Sequence, residues 1–415
     1  MLPKEKLKVL FILPDFPLIS ETFIVNQLIF LLDSGHDVKL LAYNQATNPI
    51  NSKVTEYQLL ERTTFLNIPR SPIKKIVKFA QILFHNLNIK SIYSFNIFRF
   101  KHDVFKLSPL FKYVALKAVD DDYDIIHAHF GFASDLFFTG RFFGFFKTGK
   151  LITTFHGYDM MPNEVSYNRK RYKRLFRHNA IITVNNEYGK SLLKKIHPMI
   201  NNIRLLPVGL DTQYYQPNKT LKPRNPITIL FCGRLIALKG CLFLVEIANF
   251  LINDKNHKNL SFQLIGSGEE YDNIRRLISK YNLAEYVQLL GIRTQDEVIE
   301  LMNQADIFIL PGITENSGRA ENQGLVIQEA QAMELPVIVS DAGGMKYGLL
   351  NGITGYIVKE QDLEGFCDKI ELLASNPNLR STMGKAGREY VKHNFDSRIL
   401  GQQMENYYYQ AISNF

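Results

Sequence analysis

Four segments of the sequence hold residues that could act on one polyanionic or polyhydroxylated ligand. In residues 231–240 (FCGRLIALKG), Gly233 lets an apolar strand turn, and Arg234 and Lys239 could both reach one anion. A guanidinium gives a planar fork and an ammonium a point charge, a pair that suits a diphosphate. A helix start does not by itself favour cations, so two of them there call for a shared anion. Two ordinary surface cations remain the plain alternative. In residues 310–334 (LPGITENSGRAENQGLVIQEAQAME), Glu321 lies in a polar loop and Glu329 on the helix that follows. Each carboxylate could accept hydrogen bonds from different hydroxyls of one ligand. Residues 340–346 (SDAGGMK) close this region with Gly343 and Gly344, whose backbone N–H groups could hold a further anion.

The third segment is a pair, IIHAHFG (125–131) and TTFHGYD (153–159), which sets His127, His129, His156 and Asp159 at strand ends. Three histidines could ligate zinc. Their aromatic and glycine neighbours suit a sugar pocket better, so no metal is expected. His127 could equally be a buried, hydrogen-bonded structural residue. His156 directly follows an apolar strand and precedes a glycine, where it could donate to an oxygen or accept a proton near neutral pH. The fourth segment is PDFPLISETF (14–23), in which Ser20 or Glu21 could cap a helix whose free N–H groups face a phosphate or hydroxyl. Neither a GxGxxG fingerprint nor a Walker A loop is present.

Elements must position these loops. Apolar runs at 8–14, 37–42, 124–128, 151–155, 180–184 and 203–206 read as buried strands, with helical spacing after Ser20, Glu21 and Thr22 and a basic helix around 167–178. The pattern restarts beyond QPNKTLKPRNP (216–226), whose three prolines read as a linker. Strands are expected at 227–231, 261–265, 286–290, 307–310, 337–339 and 355–357. Helices are expected from about Lys239 and at 272–280, 295–303, 325–333 and 363–373, with a broken helical stretch over 379–413. This is α/β grammar in two halves, and in such sheets ligands sit beyond the carboxyl ends of the strands.

Composition narrows the class. The 415 residues are 46% hydrophobic and 21% charged, which excludes a disordered chain. Three cysteines support no disulfide scaffold and fit a reducing compartment. The N-terminal apolar run is too brief for a signal peptide, and no 18-residue apolar run occurs, so a cytoplasmic protein is expected. Charge is uneven: residues 1–222 carry 31 basic and 17 acidic side chains, and residues 223–415 carry 18 and 23. Residues 51–117 hold 12 basic and 3 acidic side chains interleaved with Phe, Ile and Leu. That mixture suits an anionic membrane surface or a solvated face. It would also suit nucleic acid, but no nucleic-acid module accompanies it.

Taken together, these motifs resemble the retaining glycosyltransferases of family 4, with the GT-B fold. The SETF, HAHFG and FHGYD segments look closest to the colanic-acid and amylovoran-type exopolysaccharide transferases. The resemblance implies two Rossmann-like domains facing each other across a cleft: 1–209 on the acceptor side, 210–390 binding a nucleotide sugar, and a helix within 391–415 crossing back. It implies that Glu329 holds the ribose and Glu321 the donor sugar. Arg234 and Lys239, with Gly233, would bind the diphosphate, near Ser20 and Thr22. Gly324 and Leu325 would give backbone contacts, beside Gly343 and Gly344. His156 would stand at the cleft by sugar and acceptor, with His127, His129 and Asp159 on that side. No cofactor or metal is implied. The donor is a substrate, with UDP the expected nucleotide, and the acceptor a lipid-linked or growing oligosaccharide met at the membrane's inner face. Relatives often carry glutamate in a GGxxE pattern where this chain has Tyr347. A nucleotide-sugar 2-epimerase and a non-catalytic, sugar-nucleotide-binding partner are the competing readings.

Overall fold

A computed structural model describes residues 5–18, 21–46, 52–69, 71–86, 89–178, 180–218 and 225–413. Two parallel sheets organise it. The first runs β1 (Lys8–Phe16), β2 (Asp37–Gln45), β3 (Thr63–Phe65), β4 (Ile125–His129), β5 (Lys150–Phe155), β6 (Ile181–Val184) and β7 (Ile203–Leu205), in spatial order β3-β2-β1-β4-β5-β6-β7. The second runs β8 (Ile227–Cys232), β9 (Leu260–Ile265), β10 (Val287–Gly291), β11 (Ile307–Leu310), β12 (Val337–Ser340) and β13 (Gly355–Val358), in order β10-β9-β8-β11-β12-β13. The strand order reverses between β1 and β4, and again between β8 and β11. Those are the points where an open parallel sheet forms a crevice.

The apolar runs form strands because both faces of each sheet are covered. In β1, Leu10 and Ile12 enter one core, while Val9, Phe11 and Leu13 enter the core on the opposite face. Alternate side chains point to opposite faces, so a run that is apolar at every position fits only a sheet buried on both sides. The second domain has its own core around Leu230, Phe262, Phe308 and Ile338.

Several elements differ from the sequence reading. The short edge strand β3 was not expected, nor were the helices Ser134–Phe143 and Glu187–Ile196. The basic helix around 167–178 is two short helices, Val165–Arg171 and Lys173–Arg177, with Tyr172 as the break. The boundary at residue 391 falls inside a helix. Pro377–Asn394 stays with the second domain because Val391 is buried in that core, and the element that crosses back is Ser397–Ser413. It lies against the helix Thr22–Asp33, with Leu400, Met404 and Tyr408 in the first domain's core.

Both passages of the chain between domains run side by side. Leu210 N–H donates to Phe395 O at 3.0 Å, and Ser397 N–H donates to Leu210 O at 2.8 Å. Between β3 and β4, short helices including Pro72–Asn86 and Ser108–Ala118 build an insert on the first sheet. Among the described residues, no helix is long and apolar enough to cross a membrane.

Candidate active site

The carboxyl ends of β1, β4 and β5 face those of β8, β11 and β12, and the four segments singled out above meet there. After β8 a turn and then a helix follow, as the sequence suggested, the helix starting two residues beyond Lys239. The chain makes a single tight turn, Ala237–Lys239, and the helix Cys241–Asn249 begins beyond Gly240. Gly240 has φ +68°, and a Cβ on it would lie 1.8 Å from Pro311 O. Only glycine lets this turn close against the end of β11, and that closure brings Lys239 to Glu321.

Lys239 Nζ lies 2.5 Å from Glu321 Oε2, with both side chains mostly buried. Burial pushes the Glu321 carboxyl up, but Lys239 and Arg234 outweigh it and hold it below its ordinary value. The nearby Gly324 N–H favours its charged form as well. Gly324 has φ +71° and begins the helix Leu325–Ala332, which has no side-chain cap. The N–H groups of its first turn, Leu325 among them, therefore carry the helix's positive end uncapped toward the Lys239 and Arg234 cluster. One turn further on, burial raises the Glu329 carboxyl, against the opposing influence of the nearby Tyr215 hydroxyl and Lys239. The Tyr215 hydroxyl accepts from Gln295 Nε2 at 2.5 Å. Arg234 is exposed at the rim.

The Gly343–Gly344 turn corrects one expectation. Gly344 N–H is not offered to a ligand anion, because it donates to Glu321 O at 2.8 Å. A Cβ on Gly344 would lie 1.7 Å from Asn322 O. The double glycine thus lets two backbones touch and holds the Glu321 loop in place.

On the facing domain, three histidines form a column. The His129 and His156 rings stack at 5.3 Å, and His129 Nδ1 lies 3.1 Å from His156 Nε2. His156 also packs against Phe23 and Phe130, and its Nδ1 has no partner among the described residues. That nitrogen is buried with its hydrogen-bonding capacity unspent. His127 does not contact a ligand as expected. It is fully buried, and its ring nitrogens are taken by Tyr408 Oη and Thr154 Oγ1, each at 2.7 Å. Asp159 is likewise turned inward. It accepts from the N–H groups of Gly131 (2.7 Å), His156 (3.1 Å) and Gly157 (3.0 Å), so it shapes the His156 loop. Burial raises its carboxyl to about 6. Thr22 opens the helix Thr22–Asp33, behind Glu21, whose carboxyl burial and nearby Asp15 raise to about 7. Ser20 lies outside the described residues.

Sequence reasoning missed the residues that join the domains. Asn322 Nδ2 donates to His156 O at 2.9 Å, and Asn186 Nδ2 reaches back to Asn322 O. Gln323 pairs twice with Val208, through N–H and C=O, at 2.8 Å each. The one local signal was two amides lying between Glu321 and Gly324 in a loop already marked.

Burial holds His127 and His156 down to about 3, and His129 well below its usual value. All three fold as neutral imidazoles, so below about 6.5 the unfolded chain binds protons that the folded one refuses. Stability from this source is complete above pH 6.5 and lost as pH falls toward 3. Each histidine contributes a slope of up to about 1.4 kcal/mol per pH unit. Urea denaturation of His127→Gln between pH 7 and 4.5 should therefore show a shallower acid loss than wild type. Parallel curves would contradict the buried, neutral assignment.

Two doubly wound domains with a cationic loop, an uncapped helix end and a carboxylate pair on one side of a cleft define a GT-B glycosyltransferase. Residues 20–214 match the model described as Glycosyltransferase Family 4, and residues 214–390 match Glycosyl transferases group 1. The chain belongs to this glycosyltransferase family and is an enzyme of the transferase class. It is 26% identical to the amylovoran biosynthesis glycosyltransferase AmsK of Erwinia amylovora, covering 96% of this chain and 98% of that one. It is also 26% identical to WcaL of Escherichia coli K12, a protein assigned as a colanic acid biosynthesis glycosyltransferase, with the same coverage. Among solved structures, Anabaena HepE in complex with UDP superposes with a TM-score of 0.73 at 16% identity, over 97% of this chain and 100% of that one. A Rickettsia africae glycosyltransferase gives 0.70 at 20% identity, over 99% and 100%.

Proposed function

We propose that the protein moves a sugar, with retention of configuration, from a nucleoside-diphosphate sugar to a lipid-linked or oligosaccharide acceptor in exopolysaccharide assembly. The observation that carries this reading is the Lys239–Glu321 pair at the uncapped start of Leu325–Ala332, with Arg234 beside it. This is a ready-made seat for a diphosphate that gains charge as it leaves. On donor binding, Lys239 and Arg234 would take the diphosphate oxygens, and Glu321 would keep Lys239 oriented and meet the sugar. Glu329, buried beside Tyr215, would accept from the ribose hydroxyls. UDP is the nucleotide we propose, and a UDP-bound neighbour of the same fold is consistent with it.

In this reading retention needs no carboxylate nucleophile. Glu321 is held by Lys239, and Glu329 is buried beside Tyr215. Attack would come from the donor's own face, with a phosphate oxygen taking the acceptor proton. His156, neutral and with Nδ1 unpaired, would accept or donate one hydrogen bond at a sugar hydroxyl. Rotation of the domains about their paired crossings would shut water out.

Calorimetric titration with UDP, GDP, ADP and TDP tests the donor site. Glu329→Ala should weaken binding of the preferred nucleotide by roughly tenfold or more, since a charged hydrogen-bond acceptor is lost. Affinity within twofold of wild type would remove the ribose role.

We also place the enzyme in the cytoplasm at the inner membrane face, through the insert of the first domain. On the helix Pro72–Asn86, Ile73, Ile76, Val77 and Phe84 are exposed on the same element as Lys74, Lys75 and Lys78. An amphipathic, basic helix of this kind suits anionic lipid. Reversing the three lysine charges should abolish sedimentation with phosphatidylglycerol vesicles at low salt. Equal sedimentation would reject this face.

A further inference from the structure

An aromatic surface leads out of the cleft on the first domain. Its first member is the His156 ring, which packs 4.7 Å from the Phe130 ring. Phe130 in turn stacks on Phe132 at 5.7 Å, with the two planes 22° apart. The Arg171 guanidinium lies over Phe132 at 4.9 Å and over Tyr167 at 5.7 Å. Rings and guanidinium thus continue one another from the end of β5 to the helix Val165–Arg171. Phe130 holds its place against its own backbone preference. Its φ is +68°, a value that a bulky side chain rarely adopts. Its N–H donates to Thr154 O at 2.8 Å, which fixes the turn beside His156. Strain of this kind persists only where the surroundings over-determine it, and it gathers at ligand sites.

The surface runs into a cavity of about 590 Å³, within the range of small-ligand sites. Phe132, Tyr158, Tyr167 and Arg171 all line it. Tyr158 is 72% exposed and Tyr167 is 58% exposed, so two large rings stay open to solvent. Asn168, also in the wall, is buried, and its Nδ2 has no hydrogen-bond partner among the described residues. Arg171 is the one cation among the described lining residues, against the carboxylates of Asp159 and Glu164. Asp159 already spends its oxygens on the N–H groups of Gly131, His156 and Gly157. The wall therefore has no excess of positive charge. That disfavours a phosphate and suits a neutral ligand with apolar faces and hydroxyl edges. A pyranose is such a ligand, because its C–H-rich face meets the negative face of an aromatic ring. The donor domain reaches the same place. A Cβ on Gly318, three residues before Glu321, would lie 3.1 Å from Pro162 Cβ, and Pro162 stands between the lining residues Met161 and Asn163.

We propose that this cavity, with the aromatic surface leading to it, is a subsite for the second and outer sugars of an oligosaccharide acceptor. The acceptor's terminal sugar would stand at His156, and the sugars behind it would lie along Phe132, Tyr167 and Tyr158. The enzyme would then select its acceptor by chain length as well as by terminal sugar. This deepens the oligosaccharide reading of the acceptor and rests on it. The nucleotide site takes no part.

The test is calorimetry and saturation-transfer NMR on the full chain, with excess UDP present to fill the donor site. The probes are short oligosaccharide fragments from partial hydrolysis of the producing strain's own surface polysaccharide, and the monosaccharides from its complete hydrolysis. Wild type should bind the fragments at least roughly tenfold more tightly than the monosaccharides, with saturation reaching more than one ring. Tyr158→Ala and Tyr167→Ala should each weaken fragment binding by about three- to tenfold, and the double variant by more than about tenfold. Monosaccharide and UDP affinities should not change. Both side chains are exposed, so the variants should keep the fold. Fragment binding within twofold of wild type in the double variant overturns the proposal. So does equal binding of fragments and monosaccharides by wild type, or binding of neither. Loss in Arg171→Gln with binding kept in the double variant would make the cavity an anion site and overturn the stacking. UDP bound without fragments would overturn this subsite and leave the donor reading intact. Fragments bound without any nucleotide would sink the donor reading and leave the subsite standing.

Discussion

Lys239→Ala should lower sugar transfer by about 10²–10³-fold, the usual cost of removing one fixed positive group from a leaving oxyanion. The same change should destabilise the fold by about 3–5 kcal/mol near neutral pH, because Glu321 is left buried without its partner. The pH dependence identifies the cause. In wild type, Lys239 and Arg234 hold the Glu321 carboxyl below its ordinary value, so its contribution is present above the unfolded value and lost as pH falls. Without Lys239, burial would instead dominate and raise it, so the variant's deficit should grow as pH rises from 4 to 7. Urea midpoints of both proteins across that range measure it. Glu321→Gln on the Lys239→Ala background should recover part of the stability but none of the transfer rate. A deficit that does not change with pH would mean that the pair is not a buried charge pair at all.

Gly344→Ala should be nearly as damaging, although Gly344 is assigned no ligand contact. Its new Cβ would lie 1.7 Å from Asn322 O and 2.6 Å from Asn186 Nδ2. Both atoms belong to the contact that joins the domains, so neither can move without breaking it. We expect a stability loss of about 1–3 kcal/mol. We also expect at least a roughly tenfold loss of transfer, from a misplaced Glu321 loop. Transfer within twofold of wild type would show that the loop's position does not matter. Gly343 should behave alike, since its φ of +59° and a Cβ 2.3 Å from Glu321 O leave no room for another residue.

The loops of the donor side were legible from residue order because they lie at the ends of apolar strands. The strand 307–310 was read with its observed bounds, and Glu321 and Glu329 followed from it, as Arg234 and Lys239 followed from the strand at 227–231. Where reading failed, the deciding contact was distant in sequence. His127 and His129 do share one face of β4, as alternation requires. What covers His127 is Tyr408, 281 residues away, and nothing near residue 127 announces it. Asn322, Gln323 and Val208 were missed for the same reason, with 115 residues between Val208 and Gln323. The strand β3 escaped because three half-buried residues at a sheet edge carry too little pattern to show a period. The helix start was read near Lys239 rather than at Cys241 because the constraint on Gly240 comes from Pro311, across the sheet rather than along the chain.

The side-by-side crossings at Leu210 and Ser397 have a consequence for how the molecule is made. The second domain is spliced into the first, so the part synthesised earliest is the last to be finished. When β7 has left the ribosome, the groove beside Thr22–Asp33 is still bare, and His36 and His127 still lack Glu405 and Tyr408. These partners arrive only with Ser397–Ser413, after the whole second domain has been translated. A nascent chain must therefore carry an open first domain for about half of its synthesis.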